Sequence, residues 1–246
     1  MPQLSPPVPY CGAPPMPGDV AWNLDPWLVG ALVVGLLLAW KPAGRGGDRR
    51  ALLAGWTVLG AMLVSPLCNL SVALFSARVG QHLVLLTVAA PLLALALPRR
   101  PMGTGGLALA SAAFALALWV WHLPGPYGLT FRSDTAYWLM QASLVGSAAW
   151  LWRGLLLDVA SRPEAVLFAG LATAAQMGAL GALLTFAPRP LFAPHGMATL
   201  AWGLTPLEDQ QLGGLLMWVP GGLAFALVAL PALGRALRGD AAASRP

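Results

Sequence analysis

At 246 residues, 58% hydrophobic and only 9% charged, with a mean hydropathy of +0.70, the chain is far from a soluble domain, about a quarter of whose residues carry charge. Its length leaves no room for a sizeable soluble core beside membrane spans of roughly 20 residues each, the number needed to cross a hydrocarbon layer about 30 Å thick. The formal charge of +5 and pI near 10.0 do not point to nucleic acid, because Lys and Arg fall in short loops between apolar runs and form no basic stripe interleaved with aromatics.

The N-terminal stretch MPQLSPPVPYCGAPPMPGD has no Lys or Arg and no apolar core, so it lacks the layout of a cleavable signal peptide. It reads as an exported, proline-rich tail over residues 1–22. Seven apolar runs follow in residues 23–238. The first spans about Trp27 to Trp40, after the Asn23–Pro26 turn and before Lys41 and Pro42. The next three cover Ala51 to about Leu67, Gly80 to Leu97 and Gly105 to Trp121, with Pro98 and Pro101 marking the turn between the last two. Ala136 to Trp152, Val166 to Phe186 and Leu212 to Leu233 complete the set. The last contains Pro220, tolerated in a membrane helix where neighbours re-satisfy the freed carbonyl. Residues 239–246 form a C-terminal tail.

The expected fold class is therefore all-α integral membrane, a seven-transmembrane-helix bundle with its N-terminus outside and its C-terminus cytoplasmic. Orientation follows from charge, because short cytoplasmic loops retain Lys and Arg. With the N-terminus outside, Lys41, Arg45, Arg49, Arg50, Arg99, Arg100, Arg153, Arg162, Arg235, Arg238 and Arg245 lie inside, against Arg78, Arg132 and Arg189 outside. Trp22, Trp27, Trp40, Trp121, Trp138, Trp150, Trp152 and Trp202 sit near span ends, where indoles favour the headgroup level.

This topology gathers the reactive side chains on the outer half: Cys68, Arg78, Gln81 and His82 between the second and third spans, and His122 at the end of the fourth. His195 and the run Glu208, Asp209, Gln210, Gln211 before the seventh join them. His82 lies one turn into its span with Arg78 four residues earlier on the same face. A polar ring there faces the bundle, either hydrogen-bonded to a neighbour or as a ligand. His122, in WHLPGPY, sits at a helix C-terminus favoured by the dipole, and the antiparallel spans allow it to meet His82. Cys68 reads alone as a small buried residue, but thiolate and imidazole together suit a soft metal such as Cu(I). Met217 is a thioether donor on the face of Gln210 and Gly214, the alternative being plain packing. One bridge between the two cysteines, Cys11 and Cys68, remains open. There is no GxSxG, GxxxxGK[ST] or HExxH, so the reading is not an enzyme.

The segments SPLCNLSVALFSARVGQHLVLLTVAAPLLALALP, WHLPGPY and TPLEDQQLGGLLMWVPGG, in this order, resemble the caa3-type cytochrome c oxidase assembly factor family, the CtaG family, of bacterial membrane proteins. The resemblance implies a multi-pass protein of the bacterial cytoplasmic (inner) membrane that assists copper delivery or insertion into a haem-copper oxidase on the outer side. Its implied partners are the oxidase subunits and a periplasmic copper donor, besides membrane lipid. Where the family reads His-Met-x-Gln-His, this chain has Arg78 at the first histidine and keeps His82 at the second. A further family pair falls on Tyr137 and Gln141. Three functions follow: a Cu(I) site at His82 with Cys68, His122 and Met217, supported by Arg78, Gln81, Asp209 and Gln210; a metal-free scaffold for nascent oxidase subunits; or a haem held by His82 and His122.

Overall fold

The computed structural model describes the backbone of residues 8–100 and 102–243, and side chains as far as Arg238. Every regular element among these residues is helical. Helix α1 (Pro26–Ala43) starts where the Asp25 carboxylate accepts from the Trp27 N–H at 2.9 Å and Pro26 takes the first helical position. Helix α2 (Arg49–Val64) is capped by Asp48, whose carboxyl is held below its usual range by the N–H groups of Ala51 and Arg50.

The second apolar run does not continue straight. It breaks at Ser65, and α3 (Pro66–Ala73) is bent by 50° from α2. Pro66 has no N–H for the carbonyl of Met62, four residues before it. Gln81 supplies the missing donor, its Nε2 lying 2.6 Å from that oxygen. The chain then enters α4 (Phe75–Val84), a π turn (Leu85–Ala89) and α5 (Ala90–Ala96), which together form one helix of 22 residues. In the π turn the Ala90 N–H bonds to Leu85 O, and Pro91 offers no N–H to Leu86 O. The Trp152 indole donates to that carbonyl at 2.7 Å. Trp152 is thus a buried pin and not the interfacial residue expected.

Helix α6 (Gly103–Trp121), short α7 (Pro124–Leu129), α8 (Asp134–Leu157) and α9 (Pro163–Thr185) follow, then a 3-10 turn (Gly196–Trp202). Helix α10 (Pro206–Leu216) opens with a reciprocal capping box between Thr205 and Glu208. It runs through a second π turn (Met217–Gly221), where Pro220 is absorbed by a register shift that brings the Gly222 N–H to Met217 O, into α11 (Gly222–Ala243).

Five of these helical segments are long and apolar enough to cross a membrane, or six if the bent α2–α3 pair counts as one. Helix α8, 24 residues long, is not among them and carries Tyr137, Gln141, Ser143, Ser147 and Arg153. A buried carboxylate binds two helices together end to side. Asp158, after α8, accepts from the Met102 and Gly103 N–H groups at the start of α6, both at 3.1 Å. Small residues do the same along the axes: a Cβ at Gly181 would stand 2.7 Å from both Gly214 O and Trp218 N, so α9 and the α10–α11 helix touch through their backbones. Helix α1 packs mainly on α2, where Trp56 Nε1 donates to Leu32 O at 2.9 Å, and leaves Val29, Val33, Val34, Leu37 and Leu38 exposed.

Residues 8–25 are a strap across one end of the bundle. Cys11 is disulfide-bonded to Cys68. Tyr10 stacks on Tyr137 at 5.0 Å between ring centres and donates to Asp25 at 2.5 Å; burial and the Asp25 carboxylate push its phenol upward. Asn69 Nδ2 donates to the carbonyls of Cys11 and Ala13, both at 2.9 Å, and Trp202 Nε1 donates to Pro15 O at 3.1 Å.

Candidate site beneath the N-terminal strap

All three histidines lie toward the strap end, but they divide between two environments. His82 on α4 and His122 after α6 line one narrow cavity of about 20 Å³ together with Met177 from α9 and Met217 from the second π turn. Val79, Leu83, Leu86, Leu118 and Leu144 form the rest of the wall. The space suits a single water or ion, for which roughly 10–15 Å³ suffices. The two imidazoles and the two thioethers are the side chains in its wall that carry nitrogen or sulfur.

Each histidine is set up differently. His122 Nδ1 lies 2.7 Å from Leu118 O, so that nitrogen carries the proton and Nε2 keeps its lone pair. His82 is buried, and its Nε2 has no partner among the described residues. The Gln141 side chain comes within reach of His82, yet Gln141 Oε1 is buried without a partner too. Gln141 Nε2 donates instead to Tyr137 Oη at 3.0 Å, one turn earlier on α8. A buried imidazole nitrogen left without a bond is costly unless something binds it.

His195 belongs to the second environment, an aromatic cage around Arg78. The Arg78 guanidinium lies 4.5 Å from the ring centre of Phe131, 5.0 Å from Tyr127 and 5.8 Å from Tyr137, and its Nη2 donates to Thr130 Oγ1 at 2.9 Å. His195 Nδ1 lies 3.1 Å from Val72 O, which can only accept; Nε2 therefore accepts from the Tyr127 hydroxyl at 2.6 Å. Burial, reinforced by the Arg78 charge, lowers His195 to about 3, and burial raises the Tyr127 phenol to about 12, so both are neutral at ordinary pH.

Of the residues proposed from sequence, His82, His122 and Met217 converge on the cavity. Cys68 does not: bonded to Cys11 it has no thiolate to offer. Asp209 is consumed by α4, accepting from the N–H groups of Phe75 at 2.6 Å and Ser76 at 3.1 Å and from Ser76 Oγ at 2.5 Å. Gln210 ties the loop after α9, its Oε1 accepting from Leu191 N at 2.6 Å and its Nε2 donating to Leu184 O at 3.2 Å. Gln81 bonds Met62 O, and Arg78 stands in its cage; neither reaches the cavity wall. No three of His, Cys, Asp and Glu gather as a metal site among the described residues.

Met177 is the residue that sequence reading missed. It lies in the run ATAAQMGALG beside Gln176, and the packing of α9 against α10, the second π turn and α11 turns it toward the cavity that His82 lines. Arg78, Tyr137 and Gln141, where the chain departs from the resembling family's histidines, all lie around His82 and the strap.

A search of curated proteins and of solved structures returns no match. A family model does match, over residues 42–105 and 107–239, which takes in α2 through most of α11 and every cavity residue. The chain belongs to the cytochrome c oxidase caa3 assembly factor family (Caa3_CtaG).

Proposed function

We propose that the protein assists assembly of a haem-copper oxidase by holding Cu(I) in the cavity of His82, His122, Met177 and Met217. It crosses the bacterial cytoplasmic membrane seven times, α8 and the bent α2–α3 pair each being one span, with the strap outside and the C-terminus in the cytoplasm. The charge asymmetry of the loops supports that orientation. The observation that carries the copper reading is the donor set: two imidazoles, one with Nε2 buried and unpartnered, and two thioethers around a space of ionic size. Thioether and imidazole without carboxylate favour soft Cu(I) over Mg, Ca or Mn.

The copper is cargo, passed on to an oxidase subunit, and the protein has no catalytic role. Cavity size weighs against a haem between His82 and His122, since about 20 Å³ does not admit a porphyrin. A metal-free scaffold would leave His82 Nε2 with the Gln141 side chain as its one polar neighbour among the described residues.

The test is His82→Ala, alone and with Met177→Leu. The variants are expected to accumulate in the membrane while copper content and activity of the oxidase fall, and excess copper should restore part of both, because a weakened site refills by mass action. Unchanged oxidase copper at normal protein level would remove the cavity from the function.

A further inference from the structure

The strap brings two further soft donors to the same column of residues. Tyr137 Oη lies 3.4 Å from Cys11 Sγ and 3.7 Å from Cys68 Sγ, and Asn23 Nδ2 lies 3.6 Å from Cys68 Sγ. From Tyr137 the column continues through Gln141, one turn on, to the unpartnered face of His82. Cys11, Ser71, Tyr137 and Arg78 also line one small cavity of about 10 Å³. Arg78 is buried with Nε unbonded and no carboxylate partner among the described residues. The Tyr137 hydroxyl and the Asn23 amide thus reach the sulfurs, and the Arg78 guanidinium belongs to the same small cavity as Cys11.

The strap does not depend on the disulfide alone. Asn69 clamps Cys11 O and Ala13 O and accepts from Ala21 N at 3.1 Å, Tyr10 bonds Asp25, and Trp202 bonds Pro15. With Cα atoms 5.5 Å apart and these anchors intact, the two sulfurs stay adjacent when the bond between them is cut.

We propose that Cys11 and Cys68, once reduced, form a second Cu(I) site at the strap end of the column leading to the His82 cavity. The inference rests on the copper reading for its cargo. An external dithiol is the reductant: its thiolate attacks Sγ of Cys11, the less buried of the two residues, and the Cys68 Sγ leaves and takes up a proton. The second thiol of the dithiol then displaces Cys11, leaving two protein thiols and an oxidised, cyclic disulfide. Binding one Cu(I) releases both thiol protons and makes a two-thiolate complex, the ligation Cu(I) favours. In the oxidised state the pair binds nothing, so metal loading at the mouth is tied to the redox state of the strap.

The experiment titrates the full-length protein in detergent, anaerobically, with Cu(I) against a chromophoric Cu(I) chelator. It is run on the protein as isolated and after treatment with a dithiol that is then removed by desalting. One equivalent is expected before reduction and two after, the added copper showing sulfur-only ligation by X-ray absorption. Alkylating the reduced thiols with iodoacetamide should abolish the added equivalent alone, a check that needs no refolded variant; Cys11→Ser should do the same. His82→Ala should lose the first equivalent and keep the second. If the oxidised protein takes no copper and the reduced protein takes one sulfur-bound ion, the cavity reading falls and the thiol site stands. Reduced protein with two titratable thiols that takes no more copper than the oxidised form, or added copper bound by nitrogen, would overturn the proposal.

Discussion

Asp209 shows how far a side chain's type can mislead about its work. An acid beside amides at the start of a span looks like a binding group, yet its carboxylate caps α4 from another helix and its charge faces the positive end of that helix. Asp209→Ala should leave the N–H groups of Phe75 and Ser76 without partners and destabilise the protein by about 2–5 kcal/mol, while Asp209→Asn, which keeps an acceptor, should lose less. Thermal unfolding in detergent measures the difference, and equal losses would deny the cap. His195 gives a pH prediction. The folded protein keeps it neutral down to about 3, whereas the unfolded chain protonates it near 6.5. Its contribution is therefore complete above pH 6.5 and is lost as the pH falls toward 3, by about 2 kcal/mol at pH 5. The melting temperature should drop between pH 7.5 and pH 5, and less steeply in His195→Asn; parallel slopes would contradict the assignment.

At the scale of elements, the prolines explain the irregular helices. Pro66, Pro91 and Pro220 each remove a backbone donor inside an apolar segment, where the orphaned carbonyl has no water to turn to. The chain answers with Gln81 for Met62, Trp152 for Leu86, and a register shift around Pro220. Trp152→Phe keeps the ring and deletes the donor, so it should cost about 1–3 kcal/mol in the same melting assay. A variant as stable as the parent would mean that Leu86 O is satisfied otherwise. The second π turn also has a functional consequence. It begins at Met217 and widens the helix there, and Met217 lines the cavity. Gly181 tests the contact behind it: Gly181→Val would drive α9 away from Gly214 O and Trp218 N, and with it Met177 from the cavity. Expected are reduced accumulation and lower copper uptake together.

For the whole molecule, the seven-span topology predicts that a reporter fused after Arg238 is cytoplasmic and one inserted near Ala193 is exported; both on one side would remove it. The apolar runs, the proline punctuation and the asymmetry of Lys and Arg were legible because they are properties of the chain read along its length, and hydrophobic burial in lipid needs no partner to declare itself. That His82 and His122 could meet was legible for a similar reason, since both stand at the same end of neighbouring antiparallel spans, whereas the approach of Met217 was not. The break at Ser65, the strap and the pairing of Cys11 with Cys68 were not, because 57 residues separate the two cysteines and only the folded chain closes that distance. Met177 went unseen because facing is decided by which helix lies opposite, and α9 owes its rotation to backbone contact at Gly181 and Gly214. By itself the sequence determined that this protein lives in a membrane, and the resemblance in three of its segments that it serves oxidase assembly. Tertiary structure decided which polar groups are used up on backbone atoms and which, like His82 Nε2, are left unbonded, since hydrogen-bond satisfaction is a property of neighbours in space.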